Sequence, residues 1–161
     1  VVANRPALEP MNLGPGWTGF DFAEAFGRPV KVVNDALLQA IGGYQGGRML
    51  FLGLGTGLGS ALVLENLGHP LELAHLPYRN GKTYEECVGA KALKRLGQRK
   101  WRRRVADVVG RLRAALLVDD VLIGGGNVHQ LEAVPDGARR GDNSDAFAGG
   151  FRLWEAGGVR I

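Results

Sequence analysis

The chain has 161 residues, enough for one substantial core and by default one domain, and its formal net charge is +4. Hydrophobic residues make up 45% and charged residues 22%, the balance of an ordinary globular protein. Cys87 is the sole cysteine, which excludes an intrachain disulfide, and no run approaches the roughly 18–20 apolar residues of a membrane span.

The chain starts at Val1 with neither an initiator Met nor the basic-then-apolar pattern of a secretory signal. It reads as a processed or excised fragment of a cytoplasmic protein. Residues 1–18 are turn-rich, with Pro6, Pro10, Pro15, Gly14 and Gly16. Phe22, Ala23 and Phe26 share one face of a short helix that Gly27 and Pro29 stop. The β-branched run Val30–Val33 predicts a buried strand ending at Asn34–Asp35, both helix-capping types. A helix follows with Leu37, Leu38 and Ile41 inward, interrupted at Gly42–Gly43. Met49–Leu54 and Ala61–Leu64 predict two strands joined by a glycine turn, an antiparallel hairpin.

Residues 65–83 read as irregular. Val88, Ala92 and Leu96 then lie on one helical face, and Gly97 ends that helix. Trp101, Val105, Val108, Leu112 and Leu116 repeat at i+3/i+4 spacing in the next. Val121–Ile123 is a short strand ending at Gly124-Gly125-Gly126-Asn127, and the glycine-rich stretch 136–161 has Phe147, Phe151 and Trp154 as expected anchors. Strands alternating with helices predict α/β architecture.

Basic residues gather at Lys91, Lys94, Arg95, Arg99, Lys100, Arg102, Arg103 and Arg104. A solvated cationic helix face explains them most simply, and a polyanion-facing surface is the next reading. No aromatic interleaving or reader motif supports nucleic acid.

Glycine is 26 of the 161 residues, roughly double the usual share, and it clusters at 42–47, 53–59, 124–126 and 149–158. The run Gly53-Leu54-Gly55-Thr56-Gly57-Leu58-Gly59 is no Walker A loop, since Gly-Lys-Ser/Thr does not close it. Nor is it G-x-G-x-x-G, because Ser60 stands where the third glycine belongs. What remains is a tight turn whose N–H groups and Thr56 hydroxyl can hold a phosphate, or a hairpin with no ligand. Gly124–Gly126, after a strand, permits either a nucleoside and its phosphates or close helix packing. Asp35 is the best general-base candidate, with Asn34 beside it to bond a hydroxyl; both also suit a helix cap. Glu72 and His75, or Glu72 and His69, are too few for a metal set and better suited to a polyhydroxylated ligand. Glu85 and Glu86 open a helix, where the dipole favours carboxylates.

Together these residues resemble the ROK family of bacterial glucokinases, sugar-responsive repressors and related proteins, most of all its polyphosphate/ATP-glucokinase branch. The resemblance rests on landmarks in family order over residues 12–127: Asn12-Leu13-Gly14-Pro15-Gly16-Trp17 (with one residue more than the family stretch), Pro29–Ala36 with its Asn34-Asp35 pair, Leu54–Gly59, Glu72-Leu73-Ala74-His75, Tyr84-Glu85 and Ile123–Asn127. It implies the C-terminal lobe of an actin-like, ribonuclease-H-like ATPase of hexokinase type. By this resemblance Asp35 would deprotonate the attacking sugar hydroxyl, while Asn34, Glu72, His75 and Glu85 would hold the hexose, glucose above others. Gly55, Thr56, Gly57 and Gly59 would meet phosphate, and Gly124, Gly125 and Gly126 would lie on the adenosine side. The donor would be ATP or polyphosphate with Mg2+.

Two departures accompany it. The family's zinc-binding cysteine cluster is missing, so no structural zinc is expected. The family's first phosphate motif, Asp-x-Gly-Gly-Thr, does not occur in the chain. The expected organisation is one C-terminal lobe over 1–161, with 1–33 reaching toward an N-terminal lobe. A homo-oligomer or a chain supplying that lobe is the expected partner, with no nucleic acid and no membrane. Loss of catalysis in a sugar-binding or regulatory relative is the alternative, although the helix-turn-helix of DNA-binding relatives is not visible.

Overall fold

The computed structural model describes Val1, residues 3–9 and residues 14–161, and the described chain divides into two units, Val1–Asn34 and Asp35–Ile161. The Asn12-Leu13 end of the first landmark lies outside the described residues.

In the first unit, α1 (Phe22–Phe26) starts at Asp21, whose carboxylate accepts the Glu24 N–H at 3.0 Å, and stops at Gly27 with φ +58°. Trp17, Phe20, Phe22 and Phe26 cluster, the closest pair being Phe20 and Phe22 at 4.8 Å edge to face. Glu9 accepts N–H groups of Trp17, Thr18 and Gly16, which holds its carboxyl below the usual range. The strand expected over Val30–Val33 does not form. A strand needs a neighbouring ladder, and here the Asn4 side chain takes the Val30 carbonyl and the Val32 N–H instead.

The second unit is a mixed sheet in the order β3-β2-β1-β6-β7. β1 (Arg48–Leu54), β2 (Leu58–Leu64) and β3 (Leu67–Leu71) form an antiparallel meander; β6 (Asp120–Gly124) and β7 (Ala138–Arg140) continue the sheet in parallel. β1 is covered on both faces, which is why it reads as a continuous apolar run. Leu50, Leu52 and Leu54 join Val121, Ile123, Trp101, Val105 and Val108 in the main core, where the Trp101 indole donates to the Val88 carbonyl at 2.7 Å. On the other face lie α2 (Asp35–Gly43) and α6 (Asp145–Arg152).

Three expectations need correction here. Residues 65–83 are not irregular: they hold β3, a 3-10 turn at Leu73–His75, and the hairpin of β4 (Pro77–Arg79) with β5 (Lys82–Thr83). Gly68, His69 and Pro70 break the apolar pattern, and an edge strand tolerates them. The single helix expected around Val88–Leu96 is two, α3 (Tyr84–Val88) and α4 (Ala90–Leu96), parted at Gly89, before α5 (Gln98–Leu116). Phe147, Phe151 and Trp154 are not anchors but are exposed, while Gly149, Leu153 and Val159 are the buried residues of that stretch. A glycine-to-glycine crossing with α2 decides this: an added Cβ at Gly42 would meet Asp145 O at 1.8 Å, and one at Gly149 would meet Leu38 O at 2.0 Å.

Candidate functional site

Two glycine turns leave adjacent parallel strands side by side, since Gly53 of β1 pairs with Gly124 of β6. This is the carboxyl end of the strands, where α/β sheets place ligands. In the first turn Gly55 N–H donates to Gly57 O at 3.2 Å, and Thr56 stands exposed at the tip. The second turn clasps the first. Asn127 donates its N–H to Leu54 O at 2.8 Å and its side-chain amide to Gly55 O at 3.0 Å. Gly125 makes the clasp possible, with φ +84° and room for no Cβ, which would lie 2.6 Å from Leu54 N and O. At Gly55 and Gly126 a Cβ would instead enter open space, a cradle left clear at the mouth of both turns.

The α3–α4 junction closes another side. Ala90 N–H donates to Gly55 O (3.1 Å) and Thr56 O (3.2 Å), and Gly89 packs too closely on Thr56 O for a side chain. Thr83 and Glu86 form a capping box, Thr83 N–H to Glu86 Oε2 at 2.8 Å and Glu86 N–H to Thr83 Oγ1 at 3.3 Å. The Thr83 N–H holds the Glu86 carboxyl below the usual range. That leaves Glu85 for other work, and its Oε2 lies 2.2 Å from where a Gly57 Cβ would be. The face of α3 is fixed from outside by Tyr78, which stacks on Tyr84 at 5.0 Å and donates its hydroxyl to Asp107 of α5.

Asp35 is the first residue of α2 and exposed; its Oδ1 accepts the Ala36 N–H at 2.8 Å. It does not end a strand, so its position comes from α2 packing on the sheet, with Ala36 against Gly59. Asp35, Gly55, Thr56, Gly57, Gly59, Glu85, Gly124, Gly125 and Gly126 therefore belong to one end of one sheet. Glu72 and His75 form a separate, exposed pair, Nε2 to Oε2 3.8 Å. Their turn is tied to β2 by buried Ser60, whose Oγ donates to Leu71 O (2.9 Å) and accepts Leu73 N–H (3.2 Å). It is tied to α3 by Tyr84 N–H on Leu76 O at 3.2 Å. Asn34 closes the other unit.

Sequence reasoning passed over Ser60, Asn127 and Thr83 as positioning residues. A serine inside an apolar strand, and Thr-x-x-Glu before a helix, were signals for two of them.

A depression of about 430 Å3 lies elsewhere, lined by Arg139, Arg140 and Arg152 among others. Its arginines already serve backbone carbonyls: Arg139 that of Gly43, Arg140 that of Leu131, and Arg152 those of Ile41 and Tyr44. They cap the carboxyl end of α2 and neighbouring chain. In the basic stretch, Arg95 donates to Glu86 O and Arg102 to Gln130 O and Glu132. Among the described residues no three of His, Cys, Asp and Glu gather as a metal set, and no helix is long and apolar enough to cross a membrane.

No protein-family model and no curated protein matches the chain. Solved structures do. The inorganic polyphosphate/ATP-glucomannokinase of Arthrobacter sp. strain KM superposes with a TM-score of 0.69 and 22% identity, over 91% of this chain and 66% of that one. A ROK family glucokinase from Streptomyces griseus, in complex with glucose and AMPPNP, gives 0.64 and 16%, over 79% and 68%. A ROK family transcriptional regulator gives 0.61 and 14%, over 79% and 52%. The chain thus spans about two thirds of the length of those kinases. At these identities the likeness establishes the fold, the actin-like α/β fold of the ROK sugar kinases, as the sequence landmarks implied.

Proposed function

We propose that this chain is the phosphate- and sugar-handling lobe of a cytoplasmic hexose kinase, moving a phosphoryl group from ATP or polyphosphate to a hydroxyl of glucose or a related hexose. The observation that carries the reading is the clasp of the two glycine turns, which leaves open space at the Cβ positions of Gly55 and Gly126, Thr56 exposed, and the Glu85 carboxylate against Gly57. Backbone N–H groups fixed before a ligand arrives suit a phosphoryl group, whose transfer needs positioning and charge neutralisation above all.

In this reading Asp35 accepts the proton of the attacking hydroxyl, aided by Asn34. Glu72, His75 and Glu85 bond the remaining hydroxyls, and Thr56 with its glycines holds the transferred phosphate. Gly124–Gly126 admits the rest of the donor, ATP or polyphosphate. Glu85 lies outside the capping box and against Gly57, which supports a role for it between sugar and phosphate. The described residues build no cage for Mg2+. A magnesium in such a site is held mostly by the donor's phosphates and water, so no step is assigned to it.

The motif Asp-x-Gly-Gly-Thr is absent from the chain; catalysis in this reading draws on a lobe that supplies it, from a partner chain or further sequence. A second reading, sugar-dependent regulation without catalysis, is favoured by the regulator that shares the fold.

The test combines the chain with such a lobe and compares Asp35→Asn with His75→Ala in a coupled kinase assay. Asn is nearly isosteric, so folding survives and the loss reports chemistry. Asp35→Asn is expected to lower kcat by about 10²–10⁴, and His75→Ala to raise the apparent KM for sugar. An Asp35→Asn enzyme keeping more than about a tenth of the rate refutes the base assignment. No turnover with any added lobe, alongside measurable glucose binding, moves the regulatory reading to first place.

A further inference from the structure

We infer that Gln39 recognises the nucleoside of the phosphoryl donor, a group that polyphosphate lacks, so that the site is built for a nucleoside triphosphate. The inference rests on the reading of the two glycine turns as the donor's site and names the donor within it.

Gln39 stands one helical turn after Asp35 on α2, and residues at that spacing share a face. Ala36 and Ala40, either side of it along the helix, are buried and pack α2 down on the sheet. That packing asks for no amide between them.

The amide reaches the root of the second glycine turn. Its Oε1 lies 3.2 Å from where a Gly124 Cβ would be, and the Phe51 ring comes within 2.8 Å of the same point. The ring also lies 3.1 Å from a Cβ at Gly53, the strand partner of Gly124. Gln39 and Phe51 thus share the α2 side of the two strand ends that lead into the clasped turns.

Gln39 Oε1 is buried, and no donor among the described residues reaches it. A buried acceptor without a donor lowers stability, and such atoms are rare enough in folded proteins that each calls for a cause. Here the cause is a donor that arrives with the ligand. The residue as a whole is only part-buried, and the last torsion of a side-chain amide is soft. A small turn presents the oxygen to the mouth, where a Cβ at Gly126 would meet nothing.

The chemistry of this atom selects the ligand. An amide oxygen accepts and cannot donate. Ionised phosphate oxygens also only accept, so a phosphate chain has nothing to offer it. A ribose hydroxyl or a base amino group donates. A site that holds a buried acceptor discriminates against ligands without the matching donor, because the acceptor then stays unpaired.

The test is calorimetry on the intact chain, titrated in turn with ATP and with inorganic tripolyphosphate at equal magnesium. The variant is Gln39→Met, which keeps the length of the side chain, is as good a helix former and carries no acceptor to leave unpaired. It is expected to weaken ATP by about 5–10-fold, the worth of one hydrogen bond, and to leave tripolyphosphate unchanged. Its urea midpoint is expected to equal or exceed that of the unmodified chain, since an unmet acceptor is removed. Gln45→Met, at an exposed glutamine beyond the end of α2, is expected to change neither affinity. ATP affinity unmoved by Gln39→Met overturns the inference. Equal weakening of both ligands overturns it too, by making Gln39 a support of the turn alone. A clearly lower urea midpoint does the same, because Oε1 would then have its donor within the chain. Binding of neither ligand is a different failure: it removes the phosphate reading itself, and this inference with it.

Discussion

Two turns of the second unit, Gly55–Gly57 and Leu73–His75, carry part of the proposed site, and they are held in opposite ways. The first is gripped through its backbone: Asn127 and Ala90 both donate to its carbonyls, and Gly125 lies directly against Leu54. The second is held from behind, through Ser60, Tyr84 and the buried Ala74, while the Glu72 and His75 side chains stand in solvent 3.8 Å apart. In the proposed reading, a phosphate side built from backbone is organised before any ligand binds. A sugar side built from exposed side chains would take its final geometry with the ligand, because surface pairs contribute little to holding long side chains in place.

The contrast breaks most readily at Gly125. Gly125→Ala places a Cβ 2.6 Å from the Leu54 backbone at a φ of +84°, strain and overlap together worth roughly 3 kcal/mol. Urea denaturation is expected to show that loss, and phosphate affinity is expected to fall with it. Stability unchanged within about 0.5 kcal/mol would mean that the two turns are not clasped.

Tyr78 tests the side of the site built on α3. Burial, and then its hydrogen bond to Asp107, push its pKa up to about 12. The hydroxyl is more readily kept neutral in the folded chain than in the unfolded one, where tyrosine titrates near ~10. Its contribution is therefore complete below that value and is lost as pH rises toward about 12. Ultraviolet titration should show a late tyrosine transition, and Tyr78→Phe should remove it. The smallest effect is expected at His75. His75→Ala should change stability by less than about 0.5 kcal/mol, since an exposed pair is lost. A larger loss would mean that the turn is held by its side chains after all.

Much of this was legible in the sequence where burial on both faces leaves an unbroken apolar run, as in β1 and β6, or where the period is helical, as in α5. The strand expected at Val30–Val33 failed because β-branched residues report a liking for burial, not the presence of a neighbouring ladder. β3 was hidden by Pro70, which only an edge tolerates. Phe147 and Phe151 were misplaced because hydrophobicity does not say which face of a helix packs; Gly42 and Gly149 decided that. Within the site both glycine turns were readable singly. Their clasp was not, since it depends on Asn127 reaching Gly55 across sequence-distant chain. Thr83, three residues before Glu86, was a signal passed over that marks Glu86 as the capping partner.

The most direct test of the phosphate side is to titrate the intact chain with inorganic tripolyphosphate and follow backbone amide shifts by NMR. The account predicts saturable shifts at Gly55–Gly57 and Gly124–Asn127 with little change at Glu72–His75. Shifts centred on the Arg139–Asp145 depression or the basic face of α4 and α5, with the glycine turns unmoved, would contradict it.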